Sequence, residues 1–234
     1  MRTIAVIARK GGSGKTTVAL NLAIAAHRRG MKTVLADSDP QRSLVDVLKG
    51  RRQPGPAVVE TSGRELFALQ VSSLRSGVEA FVIDTPAGEE EELANAIVLA
   101  DLSLFVVRPA LLDFASLVRT LKVVRHLHKP AMVVINQAPP RRGEIEPPAV
   151  RKAQEALRLL RLPVSPAILR LRGAYQAALE MGCSAEEHLD PAAAGEINDL
   201  WSCVQREAFA REAWPKSEHR RPLDDFITYD SPIF

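Results

Sequence analysis

The sequence predicts an α/β fold with a doubly wound, mainly parallel sheet that is flanked by helices. Short runs rich in β-branched residues alternate with segments of helical period along most of the chain. These runs lack a strict alternation of polar and apolar residues, as expected for strands that are buried on both faces. The chain has 234 residues, of which 46% are hydrophobic and 25% charged, so it can bury the core of one globular domain. We expect that domain to span residues 1–214 and a tail to follow over residues 215–234.

The predicted strands and helices alternate along the chain. The expected strands are residues 3–8, 32–37, 80–85, 102–107 and 131–136, with a weaker one at 163–169. The expected helices are residues 14–29, 90–100, 113–128 and 148–161, followed by one that begins at Pro191. Residues 50–57 are expected to form a loop, and residues 58–79 have no assignment.

The helix that begins at Pro191 has the clearest start. Asp190 is expected to cap it, and proline is favoured at the first helical position. Apolar residues then recur at helical spacing, which predicts a face packed on the core: Ala193, Ile197, Leu200, Trp201, Val204 and Ala208. After Trp214 the sequence becomes polar and is broken by prolines, which is why we expect a tail there.

Composition and charge limit the possible functions. A net charge of +3 allows a local basic surface but does not by itself indicate a polyanionic partner. Cys183 and Cys203 are too few for a disulfide framework and lack the spacing of a metal site, so we expect both to be reduced. The apolar run at residues 3–8 is shorter than a signal-peptide core, and no apolar run reaches the roughly 20 residues of a membrane span. We therefore expect a cytoplasmic protein.

The stretch VIARKGGSGKTTVAL, residues 6–20, predicts a phosphate-binding loop between a strand and a helix. Four small residues let successive backbone N–H groups turn toward an anion, and the helix dipole adds to this attraction: Gly11, Gly12, Ser13 and Gly14. Lys15 is expected to reach the β- and γ-phosphates, Thr16 to complete the coordination of Mg²⁺ and Thr17 to bond the α-phosphate. The alternative is a glycine-rich turn without a ligand, but strand, loop and helix all agree on a nucleotide site.

Acidic residues at two further strand ends support the same site, because the carboxyl ends of parallel strands meet at one edge of the sheet. Asp37 and Asp39 follow the second strand, and Asp84 closes the apolar run AFVID. Asp84 is expected to hold Mg²⁺ through water, with Asp37 as a weaker metal candidate. Gly88 offers an amide to the γ-phosphate. Each of these aspartates could instead be an ordinary helix cap or a surface charge.

Three segments together resemble the deviant Walker A, switch I and switch II segments of the ParA/MinD family of ATPases. They are KGGSGKTT (10–17), ADSDPQRS (36–43) and VIDTPAG (82–88), in that order. Residues 133–136 and 169–182 resemble the family more weakly, and the short form of the chain is similar to small plasmid-partition ATPases. The resemblance implies a P-loop NTPase fold of the SIMIBI type, with ATP and Mg²⁺ as cofactors.

The resemblance also implies roles for particular residues. Lys10 would cross a two-fold interface to the phosphates of the other subunit's ATP, and Lys10, Lys15 and Asp39 would act in catalysis, with Asp39 orienting the attacking water. The charge argument agrees, because two facing triphosphates repel each other strongly in a low-dielectric interface. Dimerisation would then depend on ATP, and a ParB-like partner would stimulate slow hydrolysis. Asn136 could bind the adenine or could instead cap the next loop. Arg9 departs from the usual Gln or Pro and has no assigned role.

A cluster of basic residues between positions 141 and 172 suggests a partner. Eight basic residues stand against three acids there: Arg141, Arg142, Arg151, Lys152, Arg158, Arg161, Arg170 and Arg172 against Glu144, Glu146 and Glu155. Arg151 and Arg158, with Arg161 alongside, are expected on one helix face opposite Val150, Ala153, Leu157 and Leu160. Alone, such a face is more often merely solvated. The resemblance favours DNA binding without sequence specificity and therefore association with the nucleoid.

Three other functions compete with DNA partition. A MinD-like ATPase that cycles on membranes would need a basic amphipathic C-terminal helix, but the end RRPLDDFITYDSPIF is acidic in part and broken by prolines. We therefore expect no membrane partner. The second is an ATP-dependent metabolic or iron–sulfur relative, and of these the iron–sulfur cluster proteins would need cysteines between the switch regions, where this chain has none. An ATPase that positions a protein cluster remains a further alternative, because the motifs do not identify the cargo.

Overall fold

The computed structural model describes residues 1–41, 43–88, 90–161 and 163–209. These residues form one seven-stranded sheet in which every pair of neighbouring strands is parallel. The strands are β1 (Arg2–Ile7), β2 (Thr33–Asp37), β3 (Ala57–Glu60), β4 (Ala80–Asp84), β5 (Leu102–Val107), β6 (Ala131–Ala138) and β7 (Val164–Arg170). Their order across the sheet is β3-β2-β4-β1-β5-β6-β7. The predicted fold class is confirmed.

Helices cover both faces of the sheet. They are α1 (Lys15–Arg28), α2 (Ser43–Lys49), α3 (Leu66–Arg75), α4 (Glu90–Leu99), α5 (Leu111–His126), α6 (Pro148–Leu159), α7 (Gly173–Glu180) and α8 (Pro191–Val204). Buried side chains from α1, α2, α7 and α8 form a core on one face, and those from α3 to α6 form a second core on the other. Along each strand, successive side chains pack into one core and then into the other, so both faces of the sheet are shielded from water.

The predicted boundaries hold to within a few residues, with one informative exception. The helix expected over residues 148–161 ends at Leu159, because Arg161 has a left-handed backbone with φ 51°. Short elements escaped prediction: α2, β3, α3 and α7. In α3 the apolar side chains of Phe67 and Leu74 are exposed, so the pattern of that helix does not mark a buried face.

The predicted start of α8 is confirmed. Asp190 accepts hydrogen bonds from the backbone N–H groups of Ala192 and Ala193, both at 3.0 Å, and Pro191 is the first helical residue. All six residues of the predicted apolar face are buried. A π-helical turn, Gln205–Phe209, follows α8. The predicted tail, residues 215–234, and the end of the predicted domain lie outside the described residues.

The topology gathers the candidate residues at one edge. β1 lies at the centre, between β4 and β5, so the connection from β4 to β5 crosses over it and the winding of the sheet reverses there. A reversal of this kind leaves a crevice beyond the carboxyl ends of the strands, where open α/β sheets bind ligands. The loops after β1, β2 and β4 all start at that edge.

Candidate functional site

The loop after β1 has the backbone geometry of an anion site. Gly12 and Gly14 have left-handed φ values of 72° and 88°. A methyl group at Gly11 or Gly12 would meet nothing within 4 Å, so the concave side of the loop is open. α1 begins directly after Gly14 without a side-chain cap or an acidic residue in its first turn. Its first N–H groups and the positive end of its dipole are therefore directed to a ligand on the open side.

Lys15 is a buried cation at the start of α1. Its residue is only 6% exposed. Burial lowers its pKa, while the negative charges of Asp84 and Asp39 act in the opposite direction. A buried ammonium group held beside carboxylates interacts far more strongly with a bound anion than a solvated one does. The position agrees with the predicted phosphate contact, which stays a prediction.

Thr16 and Asp84 form the centre of the candidate magnesium site. The Thr16 hydroxyl donates to Asp84 Oδ2 at 2.8 Å, and Asp84 Oδ1 is buried without a hydrogen-bond partner. Burial raises the pKa of Asp84 to about 7. The hydroxyl and the orphaned carboxylate oxygen are the oxygen ligands that Mg²⁺ prefers. In the described part of the chain, no group of three acidic, histidine or cysteine side chains could hold a metal.

Asp37 has a structural task in the segment after β2. Its Oδ1 accepts from the N–H of Asp39 and its Oδ2 from the N–H of Leu44, both at 3.2 Å. The carboxylate therefore orders the loop and the start of α2, and its burial raises its pKa. Asp37 lies opposite Asp84 in the pairing of β2 with β4. A metal contact of Asp37 stays a prediction, with both oxygens already accepting backbone hydrogen bonds.

Asp39 and Gly88 lie on the two loops that flank the glycine loop. Asp39 is half-buried, and its Oδ1 accepts from the N–H of Gln41 at 2.9 Å, so its carboxylate is accessible from solvent. Gly88 has a left-handed φ of 91°, and a methyl group there would lie 3.7 Å from the carbonyl oxygen of Arg9. The loop after β4 thus approaches the glycine loop closely. Both placements suit the roles expected for these residues, and neither role is tested by them.

Lys10 contacts an acidic residue of its own chain. Its Nζ lies 3.8 Å from Asp113 Oδ1, and its side chain is 35% exposed. Asp113, in the first turn of α5, also accepts from Arg108 Nε at 3.0 Å. Although burial alone would raise the pKa of Asp113, the hydrogen bonds from Arg108 and the charge of Lys10 hold it below its ordinary value. Sequence reasoning treated Asp113 only as the start of a helix. Lys10 thus lies next to the glycine loop with a partly exposed side chain.

Two consecutive amides from the end of β6 hold the glycine loop. Asn136 Nδ2 donates to the Ser13 carbonyl at 2.7 Å, and Gln137 Nε2 donates to the Gly12 carbonyl at 2.9 Å. The sequence leaves two alternatives for Asn136, binding the adenine or capping the next loop, and in the structure its amide contacts the glycine loop. Gln137 was missed, although it directly follows Asn136 at a strand end. The base contact of Asn136 stays a prediction.

The basic cluster between residues 141 and 172 is partly neutralised by acids of the same chain. Arg151, Arg158 and Arg161 are exposed, and Val150, Ala153 and Leu157 are buried beneath them as expected. Three other members pair with acids: Arg141 and the buried Arg170 with Glu146, and Arg172 with Glu196. Arg161 follows the end of the helix instead of continuing its face. Fewer basic side chains are therefore available to a polyanion than the sequence count predicts.

The neighbouring helix α5 restores part of that charge. Arg119 and Lys122 are exposed one turn apart on α5, and Arg125 Nη2 of the same helix donates to the Leu160 carbonyl at 2.6 Å. α5 and α6 therefore contact each other, and near the exposed acid Glu155 they expose five basic residues, which we call the α5–α6 surface: Arg119, Lys122, Arg151, Lys152 and Arg158. The signal in the sequence was the absence of acids between residues 114 and 143.

Of the described helices, none is long and apolar enough to cross a membrane.

Comparisons with known proteins identify the family of this chain. The pattern of the family described as "CobQ/CobB/MinD/ParA nucleotide binding domain" matches residues 4–179. Maintenance of carboxysome distribution protein A from Gloeobacter kilaueensis is 31% identical over 193 residues, which are 78% of this chain and 83% of the relative. The chromosome-partitioning ATPase Soj of Treponema pallidum is 30% identical over 112 residues, 43% of each chain.

A solved structure supports the fold. The septum site-determining protein MinD of Pyrococcus horikoshii OT3, in complex with Mg-ADP, matches with a TM-score of 0.68 over 88% of this chain and 96% of that one. At 21% identity this likeness shows the fold alone. The prediction of a nucleotide with Mg²⁺ as the bound group agrees with these findings and with the geometry of the glycine loop.

Proposed function

The chain belongs to the CobQ/CobB/MinD/ParA nucleotide-binding family, and from this premise we propose that it is a ParA-type ATPase. It forms a homodimer with ATP and Mg²⁺, binds DNA without sequence specificity in that state, and moves or positions a cargo. The observation that carries the proposal is the open glycine loop followed by the Thr16–Asp84 pair. Residues in this arrangement can hold a triphosphate and its cation together.

The glycine loop and Lys15 bind and orient the phosphates. The N–H groups at the start of α1 surround the anion, and the buried Lys15 ammonium offsets its charge. Mg²⁺, when bound, adds positive charge where negative charge develops in phosphoryl transfer. Thr16 and Asp84 are the residues that would hold it. Ionisation of Asp84 is part of this step, because a protonated carboxyl group binds a cation poorly.

Asp39 and Gly88 are the residues proposed to respond to the γ-phosphate. Asp39 is accessible from solvent on the loop after β2, where its carboxylate can accept a hydrogen bond from a water molecule. Gly88 has a left-handed backbone and lies close to the Arg9 carbonyl, and its N–H group is proposed to contact the γ-phosphate. Loss of the γ-phosphate removes these contacts, and both loops can then relax.

The dimer is proposed to form through Lys10. In the single chain Lys10 rests near Asp113, which Arg108 already neutralises in part. Turning Lys10 outward therefore leaves Asp113 with a remaining partner. In a dimer the Lys10 ammonium would meet the phosphates of the other subunit, and ATP would be the ligand that selects the dimer.

DNA binding is proposed for the α5–α6 surface together with Arg161. A dimer presents this surface twice. If about six phosphates are neutralised, the logarithm of the affinity falls with the logarithm of the salt concentration with a slope of about −5. Within the described chain no element resembles a recognition helix that reads bases, so the binding is proposed to be independent of sequence.

The cargo can be DNA or a protein assembly. The relative from Gloeobacter kilaueensis is named for carboxysome distribution, and the Treponema relative for chromosome partitioning. We propose DNA partition first, with a ParB-like partner that stimulates hydrolysis, and positioning of a protein cluster as the second candidate. A MinD-like cycle on membranes is the third candidate.

Co-sedimentation separates these functions. The full chain is mixed with DNA of random sequence or with vesicles that contain anionic lipid, with Mg-ATP or Mg-ADP. We expect sedimentation with DNA in Mg-ATP alone, reduced by salt, and none with vesicles. Sedimentation with vesicles and not with DNA would contradict the proposal and favour the membrane function.

A further inference from the structure

Two side-chain amides from the end of β6 donate hydrogen bonds to the glycine loop. Asn136 is 6% exposed, and its Nδ2 donates to the Ser13 carbonyl at 2.7 Å. Gln137 is half-buried, and its Nε2 donates to the Gly12 carbonyl at 2.9 Å. The two contacts fall on adjacent carbonyls of the loop. They join positions more than a hundred residues apart in the chain, so they cannot arise from local turn geometry.

The backbone of β6 is distorted where these amides project. Gln137 has a left-handed φ of 52°, which is uncommon for a residue with a side chain. The pairing of β6 with β7 shifts register between Ile135 and Ala138. A bulge of this kind redirects side chains, and here it directs two successive ones to the same loop, whereas residues in a regular strand alternate between faces. Strained backbone that persists in a fold is often found at functional sites.

The space beside these two amides leaves no room for a side chain at Gly14. A methyl group at Gly14 would lie 2.3 Å from Asn136 Nδ2 and 3.5 Å from Gln137 Nε2. Gly11 and Gly12 have no such neighbour. Gly14 is thus needed both for its φ of 88° and for the close approach of the Asn136 amide. The loop has one open side, for the anion, and one side against which β6 packs.

From these contacts we infer that Asn136 and Gln137 are positioning residues for the phosphate-binding loop. By holding the Gly12 and Ser13 carbonyls on the side of β6, they direct the N–H groups of the loop to the open side before any ligand arrives. The anion then binds without reorganising the backbone, which is the advantage of a preorganised site. The inference rests on the proposed nucleotide site and differs from a role of Asn136 in reading the base.

Sodium tripolyphosphate with Mg²⁺ distinguishes the two roles, because this ligand has phosphates and no base. Its binding to the full chain is measured by calorimetry beside that of Mg-ATP and Mg-GTP, for the wild type, Gln137→Met and Asn136→Ala. Gln70→Met is the control, since Gln70 Nε2 donates to the Leu99 carbonyl and to Thr3 Oγ1, both outside the glycine loop. We expect Gln137→Met to weaken tripolyphosphate and ATP by the same factor of about 2 to 10, as for one lost neutral hydrogen bond. The ratio of ATP to GTP affinity should stay unchanged.

A change confined to ATP, with tripolyphosphate binding as in the wild type, would overturn the inference and assign the amides to the base. A wild-type chain that binds neither ligand would instead contradict the nucleotide site itself. Hydrogen exchange of the ligand-free protein gives an independent readout. The amides of residues 11–15 should exchange several-fold faster in Gln137→Met than in the wild type or Gln70→Met. Equal exchange in all three proteins would also overturn the inference, and this readout remains available if Asn136→Ala does not fold.

Discussion

The substitution Asp84→Asn should remove a large part of the pH dependence of stability. Asp84 is 1% exposed, and its Oδ1 has no hydrogen-bond partner. Burial raises its pKa to about 7, from 3.8 in an unfolded chain. The folded state therefore binds a proton that the unfolded state has lost between these pH values. The contribution of Asp84 to stability is fully present below pH 3.8 and is lost as the pH rises through about 7.

The size of the effect follows from that difference. Each pH unit between the two pKa values changes the free energy of unfolding by about 1.4 kcal/mol. Between about pH 5.5 and about pH 8, the titration of Asp84 should thus destabilise the ligand-free wild type by about 2 kcal/mol. Asparagine has no charge to bury, and its carbonyl oxygen can still accept the hydrogen bond from Thr16. The variant should lose this pH dependence without losing the local contact.

Urea unfolding without nucleotide or Mg²⁺ measures the effect at both pH values. Asp199→Asn, at an exposed position of α8, is the control and should behave as the wild type. Adding Mg²⁺ with nucleotide should stabilise the wild type more at the higher pH, because the cation requires the ionised carboxylate. The variant should not show this gain. An unfolding free energy of Asp84→Asn that falls with pH as steeply as in the wild type would refute the reasoning.

Other substitutions test the remaining roles. Lys15→Met should weaken ATP binding about 100-fold in calorimetry, since a charged hydrogen-bond donor is lost; wild-type affinity would contradict the loop assignment. Asp39→Ala should slow ATP hydrolysis at least about 100-fold while the ATP dimer persists in light scattering; normal turnover would exclude its role with water. Arg151→Ala with Arg158→Ala should make the salt slope of DNA binding less steep by about 3 to 4, because the dimer carries each residue twice, and Arg206→Ala, outside the α5–α6 surface, should leave the slope unchanged. An unchanged slope in the double variant would move the DNA surface elsewhere.

The sequence predicts best those strands and helices whose local residue pattern matches their burial in the fold. β1, β4 and β5 are short, buried runs rich in apolar residues, and α8 has a cap, a proline and a full apolar face. α3 and α7 lack these signals. α3 buries Leu66 and Ser73 and leaves Phe67 and Leu74 exposed, so its apolar residues do not form the buried face that a helical pattern would predict.

The candidate site was predictable in its chemistry and less so in its contacts. The glycines, Lys15, Thr16 and Asp84 are marked by residue type and spacing alone. The tasks of Asp37, Asp113 and Gln137 depend on which distant segments meet them in the fold. Asp37 orders the start of α2, and Gln137 reaches the glycine loop only because β6 is distorted. Long-range pairing of this kind is set by the topology and has no local signature.

The oligomeric state of Lys10→Ala tests most directly the claim that the dimer forms with ATP through Lys10. Sedimentation of the wild type, Lys10→Ala and the control Lys32→Ala is compared with Mg²⁺ and a slowly hydrolysed ATP analogue. Lys32 lies at the opposite edge of the sheet, where its Nζ donates to the Ser76 carbonyl. The account predicts dimers for the wild type and Lys32→Ala, and a monomer that still binds nucleotide for Lys10→Ala. Dimers of Lys10→Ala at the same protein concentration as the wild type would contradict it.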